Sequence, residues 1–388
     1  MRSASSIRFA LFAAIVATGP LAAQVREIPL GTPNASHPFE FSLIHGIREQ
    51  ANGGILAAAS LDGVLMRIDP TFKRADTLGH KGRGPGEYLQ PDGIWPLAAD
   101  SSLLVDLGNN RLTVVAPNGK LGNTTPIMGG EGGGPGGPGG GITVMIPGGV
   151  DRSGGIYFRG GPGSDSVALN RFDRATQKTT RIANLKAAEM KRVESGGANS
   201  RQQRMSPVPL AAADGWAVSQ SGTVFLVRSG TYRVEVIPRG GARRAGAPVA
   251  YTPVKIGEAE RKEYSADLGR SGQINIGVEN RNGEQTFSLS RGRPRGDDGP
   301  EASSFPAAKP PFDPSQLFVD GKERLWVRRY QPAGRTALYD VFNDQGALVS
   351  SIRLPAGRIV VGMGATSVYV AHINDDDLQL LERYPLPL

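Results

Sequence analysis

The sequence predicts an all-β chain that folds as a six-bladed β-propeller. Short apolar runs separated by Gly, Asn and Asp turn residues recur along most of the chain, which is typical of antiparallel meanders. These meanders repeat, because the second strands of six units begin at residues 55, 103, 156, 224, 325 and 368. The shortest interval, from 325 to 368, suits a bare four-stranded blade, and the longer intervals contain loop insertions. The 53 Gly and 29 Pro residues agree with a chain of many turns.

The apolar run 25–30 stands alone at the start of the chain, whereas the sixth unit lacks an outer strand. We therefore expect 25–30 to pair with 378–382, so that the N-terminal strand completes the last blade and closes the ring. The other predicted strands are 45–47, 55–59, 64–68 and 74–78 in unit 1, 94–97, 103–105 and 112–115 in unit 2, 143–146, 156–159, 167–172 and 179–182 in unit 3, 216–219, 224–227, 232–237 and 244–249 in unit 4, 317–319, 325–328, 338–342 and 348–354 in unit 5, and 359–362 and 368–371 in unit 6.

Residues 82–120 contain the most regular unit, a Gly-rich loop followed by three apolar runs with turn residues between them. Gly, Asn and Asp favour such turns because they tolerate positive φ and bond their own backbone. The unit resembles an NHL-type propeller repeat, GxGxGxFxxPxGIAxDxxGxIYVADxxNxRIxVFxxxG, in its residues Gly82, Gly84, Gly86, Tyr88, Pro91, Gly93, Ile94, Asp100, Leu104, Val105, Asp106, Asn109, Arg111, Leu112, Val114 and Gly119. The resemblance implies a bacterial secreted six-bladed β-propeller. It does not imply one function, because the family includes binding scaffolds and some enzymes.

The N-terminus predicts a signal peptide in residues 1–24. Arg2 and Arg8 are basic, residues 9–21 are apolar, and small residues follow as at a cleavage site. A short membrane anchor is the alternative, but the apolar run is short for a bilayer. We expect a periplasmic or secreted mature chain, residues 25–388, with no membrane segment after cleavage.

Charge and cysteine content limit the classes of partner. The formal net charge of +8 favours attraction to anionic polymers or surfaces. No RNP, zinc or helix-turn-helix pattern accompanies this charge, so we expect no nucleic-acid partner. The chain has no Cys, so an exported protein of this length would be held by its core alone.

Four long segments lie at equivalent places, between the outer strand of one unit and the inner strand of the next. In a propeller these connections share one face, and long loops gathered on one face mark a binding side. We expect this looped face to bind the ligand. The segments are 79–92, 128–142, 185–210 and 250–314.

The candidate site is a ring of polar residues at the mouth of the central channel on the looped face. Calcium-dependent lactonases and related lyases of this architecture hold a metal there, so a cluster of carboxylates with His could bind calcium. The Glu/Asn/Asn/Asp pattern of the lactonases is missing. Alignment of the units places these residues at the mouth: His45, Asp92, Thr143, Asp214, Asp313 and Arg358.

Three other patterns favour structural over functional interpretations. The Gly-rich run 129–141 lacks the Gly-Lys-Ser/Thr ending of a phosphate loop and predicts a flexible loop. Asp106, Asn109 and Arg111 predict a turn clamp, with an anion site as the alternative. The acidic tip 374–377 predicts a solvated turn, with calcium binding as the alternative.

Three further segments lie in the insertions. Residues 190–204 and the group Arg291, Arg293 and Arg295 are basic and predict solvated loops that could attract an acidic partner. Residues 253–268 have weak helical spacing and predict a lid-like helix on the rim.

These observations predict an exported binding propeller that recognises a protein or polymer ligand, including an anionic one, through its looped face. We expect the ligand to contact His45, Asp92, Asp214, Asp313 and Arg358. We assign no catalytic residue and expect a monomer without a cofactor. The alternative is a calcium-dependent lactonase or lyase-type enzyme at the channel mouth.

Overall fold

A computed structural model shows the predicted architecture, six blades arranged in a ring. It describes residues 25–129, 143–162, 166–195, 202–281, 284–293 and 304–387. The predicted signal peptide, 1–24, lies outside the described residues, as do most of the Gly-rich run and residue Arg295. Within the described residues, no helix is long and apolar enough to cross a membrane.

Each blade contains a four-stranded antiparallel sheet. In blades 1 to 5 these four strands follow the chain outward from the ring axis, whereas the outermost strand of blade 6 comes from the N-terminal part of the chain. Blade 1 consists of Ile44–Glu49, Ile55–Ala59, Val64–Ile68 and Ala75–Thr77, blade 2 of Pro91–Pro96, Ser102–Asp106, Arg111–Val115 and Leu121–Pro126, and blade 3 of Gly149–Val150, Ile156–Pro162, Ser166–Asp173 and Lys178–Lys186. Blade 4 consists of Gly215–Val218, Val224–Arg228, Arg233–Ile237 and Arg244–Ala245, blade 5 of Phe312–Val319, Leu325–Arg329, Leu338–Phe342 and Leu348–Arg353, and blade 6 of Arg358–Met363, Ser367–Ile373, Gln379–Pro385 and Ala35–Phe41.

The ring is closed by an N-terminal strand, as expected, but the strand is a different one. Ala35–Phe41 pairs antiparallel with Gln379–Pro385, whereas Glu27–Pro29 adds in parallel to the outer edge of blade 5, opposite Leu348–Arg353. The prediction that 25–30 pairs with 378–382 is therefore wrong, although the count of six blades stands. Because proline is uncommon inside strands, Pro38 kept the sequence from predicting this closing strand. An outermost strand tolerates proline, and the pairing register shifts around it, between Ser36 and Glu40.

Apolar side chains hold the blades together, and one buried cluster fills the space between each pair of neighbours. Phe41, Ile47 and Leu381 belong to the cluster between blades 6 and 1, and the other five interfaces have clusters of the same kind. Because the inner strands converge on the axis, some positions have no room for a side chain. A Cβ on Gly46 would lie 2.7 Å from the backbone N of Ile94 in the next blade.

The insertions between blades carry secondary structure of their own. Among the described residues, four two-stranded pairs form, namely His80–Lys81 with Glu87–Tyr88, Met128–Gly129 with Thr143–Val144, Met190–Ser195 with Gln202–Pro207, and Gln273–Arg281 with Glu284–Gly292. The last insertion also contains the helix α1, Glu258–Ser271, and short 3-10 turns occur at Ala98–Asp100 and Leu107–Asn109. A rim helix was predicted over 253–268, and the structure places it slightly later.

The inner strand of blade 3 is displaced from its predicted position. The segment 143–146 does not enter the blade, because Thr143 pairs with Gly129 outside it. The inner strand is the shorter Gly149–Val150. Gly148, next to this strand, leaves room for the Trp216 ring of blade 4, because a Cβ on Gly148 would lie 2.6 Å from that side chain.

Candidate functional site

A cavity of about 1780 Å³ runs along the ring axis, from helix α1 to the turns between the first and second strands of the blades, where Gln50, Ser219 and Gly364 line it. The innermost strands of all six blades form its wall. Helix α1 and the hairpin Gln273–Arg281/Glu284–Gly292, together called the cap below, contribute its roof through residues such as Tyr264 and Arg291. The site is therefore built by the ring and by the longest insertion together.

The wall combines apolar and charged side chains, and its apolar part includes two of the three Trp residues of the chain. Trp95 and Trp216 line the cavity and are partly exposed, whereas Trp326 is fully buried in the core. Aliphatic side chains of blades 5 and 6, such as Leu317 and Val361, continue this wall. Apolar walls with a few placed polar groups are typical of ligand sites.

The polar centre of the site is an Asp–His pair held by an arginine from the cap. His45 Nδ1 lies 3.2 Å from Asp92 Oδ2 and 3.3 Å from the Asp92 carbonyl oxygen. Arg291 donates to both Asp92 oxygens, at 2.6 Å and 3.2 Å, and Ser60 donates to Oδ1. Asp92 and Arg291 are nearly buried, with side chains 3% and 9% exposed, whereas the side chain of His45 is 38% exposed toward the cavity.

Burial and charge set the protonation of this pair. Desolvation lowers the pKa of His45, and the positive charge of Arg291 lowers it further, while Asp92 opposes the shift. For Asp92, burial alone would raise the pKa, but His45 and Arg291 together hold it below the ordinary value. At neutral pH the site therefore contains a neutral imidazole beside an ionised carboxylate.

The main chain of the cap hairpin is also held, by the side-chain amide of Gln90 beside blade 2. Gln90 donates to the Arg291 carbonyl oxygen at 2.8 Å, and its own oxygen accepts from the Arg291 N–H at 2.8 Å. Leu289 of the same hairpin is buried against the cluster between blades 2 and 3. The hairpin is thus anchored by burial and hydrogen bonds at one place.

Helix α1 has no buried residue and is held mainly by polar contacts. Glu263 pairs with Lys309 at 2.8 Å, and Glu260 accepts from the Ala333 N–H at 3.2 Å. At the far end Arg270 pairs with Asp377 of blade 6 at 2.8 Å. The acidic tip 374–377 thus supplies a partner for the cap.

Beneath helix α1, Arg328 faces the cavity between two carboxylates. It lies 3.7 Å from Asp313 and 3.9 Å from Asp267, distances beyond a hydrogen bond. Desolvation is the main cause that raises the pKa of Asp267. The contacts of Arg328 are thus longer than the Asp92–Arg291 contact, while Asp267 also pairs with Arg270 at 3.0 Å.

Three of the predicted site residues, His45, Asp92 and Asp313, line the same cavity. Asp214 and Arg358 lie outside its lining. Each acts as a local clamp, since Asp214 pairs with Arg228 at 2.7 Å, and Arg358 donates to Glu382 at 2.8 Å and 3.0 Å. The backbone of Thr143 belongs to a pair of short strands outside blade 3.

Sequence reasoning missed Arg291 as a site residue and placed it in a solvated basic loop. That prediction is wrong for Arg291, whose side chain is nearly buried. The period-2 pattern of 284–292 was the available signal. The turn clamp is confirmed, because Asp106 accepts from the Leu89 and Gln90 N–H groups and from Asn109.

Among the described residues, no group of three or more His, Cys, Asp or Glu side chains is arranged to hold a metal ion. At Asp92 the place of a cation is taken by the Arg291 guanidinium.

Comparison with known proteins shows the fold alone. No protein-family model and no curated protein matches the chain, so the NHL resemblance is not confirmed. A member of the DUF4221 family from Bacteroides vulgatus is 9% identical, with 90% of this chain and 96% of that chain covered and a TM-score of 0.50. The calcium-binding protein regucalcin from Agrobacterium tumefaciens is 10% identical over 94% and 98%, with a TM-score of 0.44. A gluconolactonase from Xanthomonas campestris is 12% identical over 90% and 87%, with a TM-score of 0.42.

Proposed function

We propose that this protein is an exported binding propeller that takes a segment of an uncharged, polar polymer into its central cavity from the looped face. The observation that carries the proposal is the cavity of about 1780 Å³, which exceeds the roughly 300–1,000 Å³ of a drug-sized pocket. An extended ligand segment suits that volume and its position on the ring axis.

The charges of the lining favour a neutral ligand over an anionic one. Among the described residues that line the cavity, acidic and basic side chains occur in equal number. The lining of the cavity therefore lacks the positive net charge of the whole chain. Trp95 and Trp216 offer apolar ring surfaces beside hydrogen-bonding groups, a combination that suits ligands with both apolar faces and hydroxyls.

A binding measurement tests this function. Wild type, Trp216→Ala and Phe39→Ala are compared by isothermal titration with neutral and with anionic soluble polysaccharides. We expect binding to a neutral polymer that weakens at least about tenfold in Trp216→Ala. Phe39 is an exposed ring outside the cavity lining and serves as the control. Binding of anionic polymers alone, or equal affinities of the two variants, would refute the proposal.

Export and oligomeric state belong to the same proposal. We propose that the mature chain is a periplasmic or secreted monomer that begins near Val25. N-terminal sequencing of protein from fractionated cells checks the cleavage, and light scattering checks the mass. Full-length protein in a membrane fraction would favour the anchor alternative.

The calcium-dependent enzyme is the alternative function, and no contact among the described residues favours it. Asp92 already has a cationic partner in Arg291, and a second cation there would have to displace it. We therefore propose a binding function that requires no calcium.

A further inference from the structure

The imidazole of His45 is anchored on one side and open on the other. Nδ1 hydrogen-bonds to the Asp92 carbonyl oxygen at 3.3 Å and lies 3.2 Å from the Asp92 carboxylate. This arrangement places the proton on Nδ1 and leaves the lone pair on Nε2. No described residue hydrogen-bonds to Nε2, and the ring borders the cavity.

The partner of His45 is rigid and stays charged. Asp92 receives hydrogen bonds from Arg291 and Ser60, so its carboxylate cannot rotate away from the imidazole. A fixed carboxylate at Nδ1 orients a histidine and stabilises the imidazolium that forms when Nε2 accepts a proton. These contacts therefore leave Nε2 as the nitrogen of His45 that can accept a proton.

A general base needs the correct protonation state at the working pH. Desolvation and Arg291 lower the pKa of His45, so its Nε2 is available as a base at neutral pH. The charged groups that face the ring are Asp92 from blade 2 and Arg291 from the cap. The cap insertion thus helps to keep a histidine of blade 1 in its neutral form.

We infer that His45 is the catalytic general base of an esterase site, in which it activates water against a carboxylic ester bound in the cavity. No described Ser or Thr hydroxyl hydrogen-bonds to its Nε2, so water is the nucleophile. Asp92 and Arg291 are positioning residues. This activity goes beyond binding and rests on the proposed function only in that the same cavity admits the substrate.

The step balances without another reactant. Nε2 takes a proton from water while the water oxygen bonds to the acyl carbon, which gives a tetrahedral intermediate. The bond between that carbon and the alkoxy oxygen then breaks, and the alkoxide takes the proton back from Nε2. The products are a carboxylic acid and an alcohol, and His45 returns to its neutral state.

Hydrolysis of 4-nitrophenyl acetate tests the inference, because this small ester does not depend on the polymer ligand. We expect His45→Ala to lower kcat/KM at least about 100-fold, with a Tm close to that of wild type. The matched control is His80→Ala, which removes another histidine that pairs with a carboxylate, Glu87 at 3.1 Å, but lies on the exposed surface away from the cavity. We expect His80→Ala to hydrolyse the ester at the wild-type rate.

A pH profile separates the catalytic role from a merely structural one. In wild type the rate should fall at an acidic inflection below 6.5, the ordinary pKa of histidine. In Arg291→Gln the inflection should move to higher pH, because the positive charge that opposes protonation of His45 is gone.

The outcomes distinguish this inference from the proposed binding function. Wild-type hydrolysis no faster than the buffer rate, equal rates in wild type and His45→Ala, or an inflection that does not move in Arg291→Gln would overturn the esterase site. Polymer binding measured on the same preparations is independent of these results. If the polymer binds and the ester is not hydrolysed, only the esterase inference fails.

Discussion

Replacement of Arg291 by Ala should release the cap hairpin from the ring. The guanidinium makes two hydrogen bonds to Asp92, at 2.6 Å and 3.2 Å, and both side chains are nearly buried. Removal of one partner of a buried ion pair leaves the other charge uncompensated, which costs about 3–5 kcal/mol. We expect a value of about 3 kcal/mol here, because Ser60 and His45 still contact the carboxylate.

The loss has two visible consequences. At about 2 °C for each kcal/mol, an effect on global unfolding would lower Tm by roughly 6 °C. If the hairpin opens locally instead, the global loss is smaller, and proteases cut the cap before the blades. Differential scanning calorimetry and limited proteolysis together measure both cases.

Arg293→Ala is the matched control, since Arg293 lies two residues further on and is exposed, with one long contact of 3.5 Å to the Ser42 carbonyl. A double-mutant cycle with Asp92→Asn should give a coupling energy of about 2–3 kcal/mol. The reasoning is refuted if Arg291→Ala and Arg293→Ala have the same Tm and the same first cleavage sites.

Three further predictions concern pH, calcium and ring closure. Acidification from pH 7.5 to 5.5 should lower the stability of wild type more than that of His45→Gln. The pKa of His45 is lowered in the folded state, so the unfolded state binds a proton at a pH where the folded state does not. Equal losses of Tm in the two proteins would contradict this. Calcium should not raise the Tm of wild type, since a ligand stabilises only a fold that binds it, and a rise that is lost in Asp92→Ala would restore the metal-site alternative. Deletion of residues 25–30 should lower Tm by only a few degrees. Deletion of 25–41 also removes the closing strand with the fully buried Phe41, and we expect no soluble monomer. Equal effects of the two deletions in size-exclusion and melting experiments would refute the assignment of the closing strand.

Much of the fold follows from local patterns. The alternation of apolar runs and turn residues predicted most strands of the six blades. The inner strand of blade 3 was predicted at the wrong place because Gly148 and Gly149 have no apolar side chain to indicate a strand. The absence of side chains at these positions leaves room for Trp216 of the next blade. That role is visible only when the two blades stand side by side.

The sequence predicted the positions of three candidate residues but not their contacts. Alignment of the units placed His45, Asp92 and Asp313 at the mouth, and these residues line the cavity. The same alignment could not separate them from Asp214 and Arg358, because a polar residue at the start of an inner strand can turn toward the axis or toward its own blade. Their partners, Arg228 and Glu382, decide this orientation.

The sequence by itself determined the repeated meander and the number of blades, because both depend on interactions between residues close in the chain. Only the tertiary structure decided which strand closes the ring and which cation neutralises Asp92. Ala35–Phe41 meets Gln379–Pro385 across almost the whole chain, and Arg291 reaches Asp92 from 199 residues away. Such pairs are selected by burial and charge compensation in the assembled ring, and local sequence carries no record of them.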